Sequence, residues 1–178
     1  MSLYRQLLTI FILLYAASCT EDKKAPDNQN AYFDIGGFFT TEAARLNKET
    51  PQVLKFVNHN GKMEEKAVKI TDWKRELDLF ISSDINKPSW KNSYRIEKNK
   101  NVTIYTALDT NLKVQQIRLQ RNGKKIASIE INNRVDNEIY TSKETLNYYP
   151  DSLYTITKDQ SVKGLGDNTY EIKGKIKP

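Results

Sequence analysis

The chain of 178 residues has one cysteine, one histidine and five prolines, and these shortages narrow its chemistry before any pattern is read. A single Cys excludes an internal disulfide, and one Cys with one His cannot make a four-ligand structural zinc site. No phosphate-binding GxxxxGK loop, HExxH, GxSxG, SxxK or calcium-loop motif occurs. His59 sits beside Asn60-Gly61, where a turn is expected, and an exposed turn lacks the burial that positions and tunes a general base. Glu64-Glu65 fall on opposite faces of an expected strand, while Asp72 and Glu76 share an expected helix face directed to solvent. A pair of carboxylates about 5–9.5 Å apart, as glycan hydrolysis requires, is therefore not expected. The sequence leads us to expect no catalytic residue, no cofactor and no metal. The formal net charge of +6 is dispersed, with Lys-Lys pairs only at 23–24 and 124–125. Nucleic-acid binding concentrates basic residues and aromatics on one surface, so no nucleic-acid partner is expected.

What is present begins with the leader, MSLYRQLLTIFILLYAAS, residues 1–18. Arg5 supplies a positive start, Leu7 to Ala17 is apolar apart from Thr9, and Ala16, Ala17 and Ser18 are small. A membrane-spanning helix needs roughly 20 apolar residues, so this run reads as a cleaved signal peptide. The next residue is the sole cysteine. Ala16-Ala17-Ser18-Cys19 resembles the lipobox of bacterial lipoproteins, in which signal peptidase II cuts before the Cys; Ala16 stands where Leu is commonest. The resemblance implies acylation of Cys19 and membrane attachment through that lipid, whereas an ordinary signal cut near Ala17 or Ser18 would leave Cys19 a stray thiol. Residues 19–32 are polar and read as a flexible tether. Glu21-Asp22 resembles the signals that send some Bacteroidota lipoproteins to the outer face of the outer membrane. The expected location is thus the outer membrane, facing periplasm or cell surface.

Residues 33–178 read as a single domain. Ile35, Phe38, Phe39, Ala43 and Leu46 recur at helical spacing behind Asp34, a suitable N-cap, and Pro51 ends that helix. Val53–Val57 and Met63–Ile70 flank Asn60-Gly61, the sequence of a type I′ hairpin. A second helix is expected from Thr71 or Asp72, with Trp73, Leu77, Phe80 and Ile81 as its stripe and Pro88 beyond it. From Ser93 onward the pattern is β. Strands are expected at 94–98, 102–108, 112–120, 125–131, 138–148, 152–158 and 170–176, with Asn132-Asn133 among the turns and a bulge at Gln115-Gln116. Intervals this short leave no room for crossover helices, so the strands should be antiparallel. The fold class is α+β: two N-terminal helices with a β-hairpin between them, packed on a curved antiparallel β-meander.

Two aromatic groups are candidate contacts: Trp90 and Tyr94 after the second helix, and Tyr148 and Tyr149 at a strand turn. Loop aromatics fill a partner's pocket or stack on sugars, and Trp90 equally suits a lid over the sheet. Three functional classes follow. The first is a non-enzymatic, lipid-anchored envelope protein that binds a protein or glycan partner through a sheet edge or these loops. The second is a carrier or acceptor of lipid, since the expected fold is similar to the half-barrel of periplasmic lipoprotein carriers and their outer-membrane acceptor. The third is a hydrolase without a recognisable motif. A filled core favours the first and an open apolar cavity the second.

Overall fold

The computed structural model describes residues 30–177. The expected signal peptide, Cys19 and the expected tether up to residue 29 lie outside the described residues.

Helix α1 (Ile35–Glu49) opens the domain, and Asp34 caps it by accepting from the Gly37 amide at 2.7 Å. Its apolar stripe, Ile35, Phe39, Ala43 and Leu46, is buried, as the spacing demands. Thr50, at φ 47°, ends the helix in the left-handed conformation. Strands β1 (Gln52–His59) and β2 (Lys62–Lys69) form the expected hairpin, with Asn60 and Gly61 both at positive φ. Next come α2 (Trp73–Glu76) and α3 (Asp78–Ile81), two single turns meeting at Leu77. The expected second helix is therefore not continuous: Leu77, at φ −98° and ψ 12°, departs from helical geometry between them. Both turns nonetheless bury their apolar residues, Trp73, Leu77 and Phe80.

A 3₁₀ turn (Pro88–Trp90) leads into seven strands: β3 (Tyr94–Asn99), β4 (Val102–Ala107), β5 (Val114–Asn122), β6 (Lys125–Asp136), β7 (Tyr140–Tyr149), β8 (Leu153–Val162) and β9 (Gly166–Lys177). The nine strands form one antiparallel sheet in the order β2-β1-β9-β8-β7-β6-β5-β4-β3. From β3 to β9 it is a meander. The N-terminal hairpin then joins through β1 against β9, pairing Gln52 with Lys177 and His59 with Tyr170. The bulge falls where expected, between Val114 and Gln116. Asn132 and Asn133, expected in a turn, instead lie inside β6, paired with Thr145 and Glu144 of β7. Tertiary pairing on both sides supplies what their turn preference opposes.

Side-chain alternation divides the sheet into two faces. On one, Ile117, Ile131, Leu146 and Ile156 stand opposite one another in register, followed by Leu119, Ile129, Tyr148 and Tyr154, and all are buried. The helices pack here: Phe39 lies 4.8 Å from Phe80 and 5.1 Å from Tyr148, and Trp73 lies 6.1 Å from Tyr154. On the other face Thr106, Gln116, Asn132, Thr145 and Thr157 form a half-buried row of hydroxyls and amides. Thr145 there bonds Asn132 at 3.2 Å, and Asn147 bonds Thr155 at 3.1 Å.

Candidate functional site

Two buried tyrosines fasten the helices to the sheet. The Tyr148 hydroxyl donates to Glu42 Oε1 of α1 at 2.5 Å, and Arg45 reaches that carboxylate together with Glu49 and Asp151. Burial alone would raise the Glu42 pKa, but its bonds to Arg45 and Tyr148 outweigh that and hold it below the ordinary value. Burial first, and then the Glu42 bond, push Tyr148 well above the usual tyrosine range. The second fastening repeats the design. Tyr154 donates to Glu76 Oε1 at 2.5 Å, Lys55 of β1 lies 2.7 Å from the same oxygen, and burial with the Glu76 charge drives Tyr154 upward. Glu76 was expected to face solvent; it points inward because Tyr154 and Lys55 together satisfy its charge.

A third polar group lies where β6 and β7 pass α3. Asn133 donates to Glu144 at 3.2 Å and to Ser83 at 3.0 Å, and Lys158 pairs with Glu144 at 3.2 Å. Asn133 Oδ1 and Ser142 Oγ are buried there without a protein partner. In all three groups the carboxylate is already held by a cation, a tyrosine or an amide. That arrangement anchors elements and leaves no free acid beside a free base.

Beside the filled core the helix-bearing face opens into a cleft of about 530 Å³, within the roughly 300–1,000 Å³ range of small-molecule sites. Its floor is Ile156 and Ile172 of the sheet with Leu79 and Ile70, and Lys55 and Glu76 close its inner wall. Lys69 and Arg75 line the rim together with Asp72 and Asp78, so both charge signs surround an apolar floor.

The residues singled out from the sequence do not converge. Cys19 lies outside the described residues. Tyr148 is fully buried and Tyr94 is 5 % exposed, its hydroxyl on the Val114 carbonyl at 3.0 Å, so neither offers a face to a partner. That corrects their reading as surface contacts: each follows strand alternation into the core. Trp90 is half-buried, edge-on to Tyr94 with Lys87 Nζ 4.1 Å above its ring, the arrangement of a lid. Tyr149 is exposed at the β7–β8 turn, at the opposite end of the sheet from Trp90. His59 stacks on Tyr170 with ring centres 4.0 Å apart. Sequence reasoning missed Glu42, Lys55 and Tyr154, whose pairing depends on contacts between elements far apart in the chain.

The outer strands carry alternating charge: Glu64, Glu65, Lys66 and Lys69 on β2, and Arg95, Glu97 and Lys98 on β3, all exposed. Such side chains discourage pairing with another strand. Among the described residues no three His, Cys, Asp or Glu side chains gather as a metal site, and no helix is long and apolar enough to cross a membrane. Comparison with protein-family models, curated proteins and solved structures returned no match.

Proposed function

We propose that this chain is a lipid-anchored protein of the bacterial cell envelope, attached through Cys19, that works by binding rather than by catalysis. The cleft between α2–α3 and strands β1, β9 and β8 is where its partner sits. What supports this reading is the contrast between a closed aromatic core beneath α1 and an adjoining cleft in which Ile70, Leu79 and Ile172 are only half-buried and the charged rim is exposed. The charged outer strands weigh against capture of a partner strand at either edge. An apolar floor under a rim of both signs suits an amphipathic ligand: its apolar part covers Leu79 and Ile172, and its polar part meets Lys69, Arg75, Asp72 and Asp78.

The isoleucine floor also favours a second reading, a carrier or acceptor of lipid. The test is photocrosslinking in the producing cells from probes replacing Leu79 and Ile172, with a probe at Thr145 on the bare face as the control. Adducts at 79 and 172 are expected, and their mass separates a protein partner from a lipid. Adducts at 145 alone would move the binding surface to the bare face and overturn the assignment.

A further inference from the structure

Met63, Leu108, Ile139 and Leu165 are 80, 63, 70 and 87 % exposed, which makes them the most exposed large apolar side chains described. All four lie at one end of the sheet. In an antiparallel sheet successive connections alternate between its ends. The β1–β2, β4–β5, β6–β7 and β8–β9 connections therefore share an end, and each carries one of these residues on it or beside it. Neighbouring connections are two strand spacings apart, about 10 Å, so the apolar tips form a spaced row. Ile139 and Leu165 are neighbours within it, because the Lys163 amide donates to the Ile139 carbonyl at 3.0 Å. The turns at the other end, around Asn101, Gly123 and Asp151, are mainly polar, with Tyr149, 42 % exposed, as their one large apolar side chain.

The chain also enters the fold at the apolar end. Tyr32 bonds Asn86 at 3.0 Å, and its hydroxyl reaches the Trp90 carbonyl at 2.9 Å and the Tyr94 amide at 3.2 Å, where β3 begins. From Cys19 to Asn30 the chain reaches at most roughly 40 Å. A lipid on Cys19 therefore tethers the domain by this end. We propose that the end bearing Leu108, Ile139 and Leu165 is a membrane-facing surface whose turn side chains enter the lipid interface beside the anchor. Lys62, Lys113 and Lys163 there face Asp109, Glu138 and Asp167, and with Lys87 and Lys91 added the end is only mildly basic, so the contact is mainly apolar and weakly dependent on salt. The inference rests on acylation of Cys19.

The test uses the mature acylated protein in phosphatidylethanolamine–phosphatidylglycerol vesicles. Leu165→Cys, Ile139→Cys and Lys124→Cys each receive an environment-sensitive fluorophore, which is selective because acylation occupies the native thiol. Blue-shifted emission and quenching by spin-labelled lipid, severalfold stronger at 165 and 139 than at 124 and unchanged by added salt, are expected. Equal, water-like emission at all three positions in acylated protein overturns the membrane-facing assignment. A mature chain whose mass shows no acyl group at Cys19 overturns the anchor itself.

Discussion

At the residue scale, Tyr154 ties several contacts together. It stands across from Gly174 in the β8–β9 register, and a Cβ at position 174 would overlap its ring. Gly174 is thus the flat floor on which the ring lies while its hydroxyl reaches Glu76. Gly174→Ala should cost about 1–3 kcal/mol in denaturant unfolding, because the ring must move in a packed core. Tyr154→Phe, which keeps the ring and removes the donor to a charged acceptor, should cost about 2 kcal/mol. If Gly174→Ala unfolds at the wild-type denaturant concentration, the ring does not rest there. The Glu42 shift has a direction that can be tested as well. Its folded-state pKa is depressed, so its contribution is present above the ordinary value of 4.5 and is lost as pH falls through the lower folded value. Glu42→Gln should accordingly flatten the acid side of the stability curve, as read by thermal melts across that range.

At the element scale, the α2–α3 segment depends on Trp73 more than on its own helical turns. Trp73 is fully buried against Tyr154, and its indole nitrogen has no partner, so its contribution is packing. Trp73→Ala should cost about 4 kcal/mol, while Trp73→Phe, which loses no hydrogen bond, should cost markedly less. Asp34→Ala should remove about 1 kcal/mol through the lost cap on α1. These elements were legible because their signals are local: Asp34 and Asp72 cap as their positions suggest, Asn60-Gly61 turns, and the break in alternation at Gln115-Gln116 marks the bulge. Where reading failed, a neighbour distant in sequence overrode the local rule. Asn132-Asn133 has the composition of a turn, yet β5 and β7 hold it extended. The cleft was illegible for the same reason, since Ile70, Leu79, Ile156 and Ile172 meet only through the sheet order.

At the scale of the whole molecule, the two tyrosine fastenings set an upper pH limit. Tyr148 and Tyr154 are both driven above the ordinary value of 10, so the folded state favours their neutral forms. Their contribution is complete below that value and is lost as pH rises beyond it. Stability should begin to fall above pH 10, and its decline with pH should be shallower in the Tyr148→Phe, Tyr154→Phe double variant, as read by denaturant unfolding at several alkaline pH values. The β1–β9 pairing has a consequence for biogenesis. The hairpin at 52–69 is synthesised early, yet it joins the sheet only through strand 166–177, which is made well after it. Until then β1 is a bare edge and the cleft lacks Ile172 from its floor. A chain made from its N-terminus therefore carries a hairpin with one open edge until β9 is available, and in that interval another strand could pair with β1 in its place.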